Sequence, residues 1–102
     1  MEVSNQTMYI LEKLLESTEI LRRLYPNTYD DTSKKVQQMI RKTMVAHKMD
    51  VLPAALMLME IAKKNGNESH IFWFAAAATD MLAGQHPHKS LKTLIKETFD
   101  FL

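Results

Sequence analysis

The stretch that decides the fold is residues 71–82, which read IFWFAAAATDML. At about 100° per residue, these positions point in every direction around a helix, and only Thr79 and Asp80 among them are polar. A helix that is apolar all round is stable in water only when other helices surround it. We therefore expect a helix over residues 69–83, at the centre of an all-α protein.

A second stretch has the same character. Residues 51–62 read VLPAALMLMEIA and leave a polar strip of only Pro53, Glu60 and Lys64 on a helical projection. Asp50 suits the N-cap of this helix and Gly66 suits the left-handed position that follows its end, which predicts a helix over 51–65. Both apolar runs are shorter than the roughly 20 residues that a transmembrane helix needs, so we expect no membrane span.

Turn residues divide the rest of the chain. Pro26-Asn27, Gly66-Asn67 and the segment 84–87 separate helical patterns, which are predicted over 4–25, from the cluster at 30–33 to Lys48, and from Pro87 or His88 to Phe101. Asp30, Asp31, Thr32 and Ser33 are expected to cap the second of these helices. The prediction is a single domain over 1–102, a compact bundle of about five helices with short loops, with helices three and four central.

Composition limits the possible functions. The 102 residues are 46% hydrophobic, carry a formal net charge of +1 and include no cysteine, which excludes disulfide scaffolds, thiolate metal sites and cysteine nucleophiles. The opening residues lack the basic and apolar segments of a secretory signal, so a cytoplasmic location is expected. We find no phosphate-binding loop, nucleophile motif or zinc motif, and we expect no enzymatic activity and no cofactor.

Helices three and four contain more apolar surface than a monomer of this size can easily bury. A domain of about 100 residues hides roughly 60–70% of its unfolded surface. Leaving four or five large side chains in water would cost on the order of 10 kcal/mol. We predict that part of this surface meets a second copy or another protein, although enclosure by the other three helices stays possible. The candidate interface residues are Leu56, Met57, Met59, Phe72, Trp73 and Asp80.

Asp80 is the polar residue that the apolar helix must accommodate. A buried carboxylate requires a partner. We expect either a Lys or Arg from another helix or the indole N–H of Trp73, while a charge-sensitive role at an interface remains an alternative.

The second helix has a basic surface. Residues 34–48 include five cations and no acid, and three of the cations (34, 41 and 48) recur at heptad spacing, as in helices that follow a phosphate backbone. Alternatively, these cations pair within the same molecule with the acidic stripe of helix one, which consists of Glu12, Glu16 and Glu19. These cations are the candidate nucleic-acid residues: Lys34, Lys35, Arg41, Lys42 and Lys48.

The histidines give a weaker signal. His86 and His88 flank a proline but have no accompanying carboxylate motif, so no metal site is expected. His47 falls on the inner side of helix two, which it shares with Met39, and His47 is predicted to be half-buried.

The function that these patterns favour is a small non-enzymatic protein–protein interaction module, such as a regulator, inhibitor, immunity-type protein or adaptor. We expect self-association, as a dimer, through helices 51–65 and 69–83. The alternative is a nucleic-acid-binding regulator that uses the basic surface of helix two. No membrane partner is expected.

Overall fold

The computed structural model describes residues 16–90 together with Thr93 and Glu97. This part of the chain contains four helices: α1, whose described residues are 16–24, α2 at Tyr29–His47, α3 at Val51–Lys64 and α4 at Glu68–Gln85. The all-α compact class is confirmed. The prediction of about five helices is slightly too high for the described residues. The predicted fifth helix falls mostly outside them, although Thr93 and Glu97 are helical.

Helix α4 lies at the centre of the described bundle. Ala75, Ala76, Ala77 and Ala78 are all 0% exposed, and four successive positions sample the whole circumference of a helix. A methyl side chain lets neighbouring helices approach closely on each side. The expected central position of this helix is therefore confirmed.

Two apolar clusters pack against α4. The larger cluster joins Ile40 of α2 to the inner side of α3 and to one side of α4. The smaller one joins Leu21 of α1 and Tyr29 of α2 to Ala76, with Phe72 and Trp73 packed against them. Helix α4 thus links the α2–α3 pair to α1.

Helix α3 is buried on one side only. Val51, Ala55, Met59 and Ala62 are buried, whereas Ile61 is 48% exposed. Positions 57 and 61 are one helical turn apart, and Met57 is half-buried. Helix α3 thus keeps two partly exposed apolar side chains beside its polar strip of Pro53, Glu60 and Lys64, which is exposed.

The ends of α3 lie at the predicted positions. Asp50 is the N-cap in an extended conformation, although its side chain makes no capping hydrogen bond, and Gly66 adopts a φ of +72° beyond the last turn. The Asn67 N–H donates to the carbonyl of Ala62 at 2.9 Å, and the Gly66 N–H donates to that of Lys63 at 3.1 Å. These two bonds form a Schellman motif, which satisfies carbonyls that the end of a helix leaves free.

The start of α2 was predicted wrongly. The helix begins at Tyr29, before the cluster at 30–33, and Asp30 and Asp31 occupy its first turn, where the helix dipole favours carboxylates. His47 is exposed, so its expected half-buried position was also wrong. Met39 is 49% exposed, although it lies beside residues of α4. The buried residues of this helix are Tyr29, Ser33 and Ile40.

No helix in the described part of the chain has the length and apolar character needed to cross a bilayer.

The two glycines provide a test of the capping geometry. Gly66→Ala should destabilise the protein by about 1 kcal/mol, because alanine is disfavoured at positive φ. Gly84→Ala should instead stabilise α4 by up to about 1 kcal/mol, since alanine has the higher helix propensity. A Cβ at either position meets no atom within 4 Å, so steric contact does not distinguish the two sites. Urea unfolding of both variants measures the difference, and equal effects would contradict the capping assignment.

Candidate functional site

Asp80 is the centre of a polar cluster between three helices. Its Oδ2 accepts a hydrogen bond from the Tyr29 hydroxyl at 2.7 Å and another from the Ser33 hydroxyl at 2.8 Å. Its Oδ1 lies 3.6 Å from Nη2 of Arg22 on α1. The carboxylate is 20% exposed, so most of its hydration is replaced by these partners.

Arg22 connects this cluster to an aromatic stack. Its guanidinium carbon lies 4.3 Å from the centre of the Tyr29 ring, a cation–π arrangement. The Tyr29 ring stacks on Trp73 with centroids 5.5 Å apart, and Tyr25 lies 5.9 Å from Trp73. The stack fixes the loop between α1 and α2 against the first half of α4.

The pKa of Tyr29 is raised from 10.0 to about 12. Burial disfavours the phenolate, and the hydrogen bond to the Asp80 carboxylate also favours the protonated form. The phenol consequently remains a hydrogen-bond donor to Asp80 throughout the neutral range.

Of the two partners predicted for Asp80, the structure has the arginine from another helix, Arg22. The alternative partner, Trp73, stacks on Tyr29 and makes a tilted contact with Tyr25. Tyr29 and Ser33 were missed. Their spacing of four residues places them on one side of α2, which is the available sequence signal, but their meeting with Asp80 depends on how α2 packs on α4.

A chain of hydrogen bonds leads from the cluster to the basic surface of α2. Gln37 Nε2 donates to the Ser33 hydroxyl at 3.1 Å, and Arg41 Nη2 donates to Gln37 Oε1 at 3.3 Å. The buried carboxylate is thereby connected to an exposed guanidinium.

An open groove runs between α2 and α4. Its volume is about 340 Å³. Apolar side chains form most of its surface, and three polar residues from the first turns of the two helices lie at one end. The lining residues are Thr32, Val36, Met39, Ser69, His70, Trp73 and Phe74. A groove of this kind accepts side chains of a binding partner.

The structure distributes the six candidate interface residues over different environments. Met59 is 7% exposed and belongs to the core. Leu56 and Met57 are half-buried on α3. Phe72 packs against the Leu21–Tyr29 cluster, Trp73 also lines the groove, and Asp80 forms the polar cluster. These residues therefore do not form one continuous surface.

The five candidate nucleic-acid residues are all exposed. Within the described residues, none of them forms a salt bridge. Of the acidic stripe expected to neutralise them, Glu19 pairs with Arg23 of its own helix, and Glu12 lies outside the described residues. Lys48 follows the end of α2 in a left-handed conformation, so regular helical spacing holds for Lys34 and Arg41 only.

Among residues 16–90 and the two described positions beyond them, no group of three or more His, Asp or Glu side chains is placed to hold an ion. His70 is exposed at the groove, and His86 and His88 are exposed after α4.

Comparison with known proteins gives no relative: no family model matches the chain, and neither a curated protein nor a solved structure shows significant similarity to it.

The polar cluster can be tested by removing its acceptor. Asp80→Ala leaves the buried hydroxyls of Tyr29 and Ser33 without their partner and should lower the free energy of unfolding by about 2 kcal/mol. Asp30→Ala is the matched control, because Asp30 also lies 3.6 Å from Arg22 but is 80% exposed. Its loss should cost below about 1 kcal/mol. Chemical denaturation compares the two, and an Asp80→Ala variant of unchanged stability would contradict the proposed role of the cluster.

Proposed function

We propose that this protein is a small non-enzymatic protein–protein interaction module, of the regulator, inhibitor, immunity-type or adaptor kind, and that it associates with a second copy of itself. The observation that carries the proposal is a pair of partly exposed apolar side chains on α3, Ile61 (48% exposed) and Met57 (half-buried), which lie beside the polar strip of this helix. Helix α4 contributes less than the sequence predicts, because it is encased from Phe74 to Leu82 apart from the partly exposed Asp80.

The size of this surface sets the expected affinity. A typical stable interface buries about 800 Å² on each partner. Helix α3 has 14 residues and is therefore about 21 Å long, so one side of it supplies only part of that area. We expect a weak dimer with a dissociation constant in the micromolar range or above.

Sedimentation equilibrium tests the proposal. The average mass of the wild type should rise above 11.8 kDa with concentration, whereas Met57→Lys combined with Ile61→Lys should remain monomeric. Val45→Lys is the control, because Val45 is an 80% exposed apolar residue on the outward side of α2. Met59 is unsuitable for this test, since a charge in the core would unfold the protein. A wild type that stays monomeric at millimolar concentration, or association that is equally sensitive to Val45→Lys, contradicts self-association through α3.

A second candidate function, nucleic-acid binding, is supported by the charge distribution. Residues 34–48 contain five cations and no acid, whereas the rest of the chain contains eight Lys and Arg against twelve Asp and Glu. The net charge of +1 thus conceals a basic surface on one helix. Exposed cations that form no salt bridge within the described residues are available to phosphate groups.

Salt dependence separates this candidate from apolar association. If all five cations contact phosphates, the affinity for a DNA duplex of arbitrary sequence should fall a few hundredfold between about 50 and about 200 mM salt. Replacing Lys34, Arg41 and Lys42 with Ala should weaken binding and reduce the salt dependence. Replacing Lys63 and Lys64, exposed on α3, should have little effect. Absence of binding at low salt in a fluorescence anisotropy titration excludes the candidate.

The cytoplasmic location and the absence of enzymatic activity also remain predictions.

A further inference from the structure

We propose that the groove between α2 and α4 binds an amphipathic helix of a partner protein whose apolar side is bordered by acidic residues. This inference rests on the proposed interaction function and specifies the chemistry of the partner. It concerns a surface other than the outer side of α3, so the two can fail separately.

The groove supplies the apolar part of the recognition. Trp73 is held by its stack with Tyr29 and by a tilted contact with Tyr25, and it provides an aromatic wall of the groove. Met39, on the opposite helix, is 49% exposed, and its flexible thioether side chain can adapt to the shape of an inserted residue. The groove has a volume of about 340 Å³ and is open to solvent, so side chains of a partner can enter it.

The border of the groove along α2 is positively charged. Lys35 lies three residues after Thr32 and four before Met39, and Lys42 lies three after Met39, so both flank the groove-lining residues on the surface of α2. Both lysines are exposed. In the described residues, neither forms a salt bridge.

Asp31 offsets part of this charge, because it lies one helical turn before Lys35 on the same side of α2. Lys35, Lys42 and Asp31 together leave the border with a net charge of +1. Glu68 lies about 140° around α4 from Trp73 and points to the other side of that helix.

The type of partner follows from these features. The groove-lining residues that the structure describes all lie in helices, whose backbone groups are largely bonded internally, so recognition there depends on side chains. Helix-in-groove binding uses apolar anchors at positions i, i+3, i+4 and i+7. Acidic residues beside those anchors would meet Lys35 and Lys42.

Trp73 is the only tryptophan of the chain and lines the groove, so its fluorescence reports binding directly. The probes are two synthetic peptides of about 18 residues, five helical turns, with the same leucine stripe and with either Glu or Lys beside it. At about 0.15 M salt the Debye length is about 8 Å, so only nearby charges discriminate between them. The Glu peptide should shift the emission of Trp73 and bind at least about tenfold more tightly than the Lys peptide.

Reversing the charge of Lys35 and Lys42 tests whether these two residues cause the preference for the Glu peptide. Lys35→Glu combined with Lys42→Glu should reverse the preference between the peptides. Lys34→Glu combined with Lys48→Glu makes the same change of charge on positions that do not flank Met39 and should leave the preference intact. Circular dichroism checks that each variant is folded.

Three results would overturn the inference. Equal binding of the two peptides, or a preference that does not depend on Lys35 and Lys42, would show that the border does not select acidic partners. No change of Trp73 emission with either peptide would show that the groove is not a helix-binding site, and a response to a DNA duplex alone would favour the nucleic-acid candidate. None of these results affects self-association through α3, which sedimentation measures independently.

Discussion

The close packing of helices around Ala75–Ala78 is the constraint on which the rest of the structure depends. Because these side chains are single methyl groups, α4 can be surrounded, and it passes through the centre of the described bundle with all four positions fully buried. A central helix cannot turn a polar residue fully to solvent. Asp80, one turn further along, is therefore held at 20% exposure and must find its partners among the surrounding helices.

The partners of Asp80 then determine how α1 and α2 are placed. Tyr29 and Ser33 approach the carboxylate from α2, and Arg22 approaches from α1. This accounts for the early start of α2, because Tyr29 reaches Asp80 and Trp73 from the first position of the helix. The cluster contributes to structural specificity as well as to stability, since another rotation of α2 would leave the carboxylate without its donors.

Local signals in the sequence predicted the features that depend on local physics. The N-cap at Asp50, the left-handed Gly66 and the enclosure of residues 75–78 follow from capping chemistry and from apolar positions all round a helix. The start of α2 and the exposure of His47 were missed, because the helical projection of α2 does not show which part of its apolar side α4 covers. The groove was missed for the same reason, since its walls come from two helices that are distant in sequence.

The interface prediction was based on the many apolar residues of α3 and α4, and these residues are buried to different extents in the two helices. On α4 nearly all of them are enclosed by the described helices, so a central apolar helix by itself does not imply a partner. On α3 the inner side is enclosed and the outer side is not, and the difference between Met59 and Met57, two positions apart, follows from the direction of each side chain. The apolar surface that could drive association is therefore smaller than composition suggests. An apolar contact of this size binds weakly, so charges beside it have a larger part in selecting a binding partner. The positive charge on α2 therefore matters, although the net charge of the whole chain is only +1.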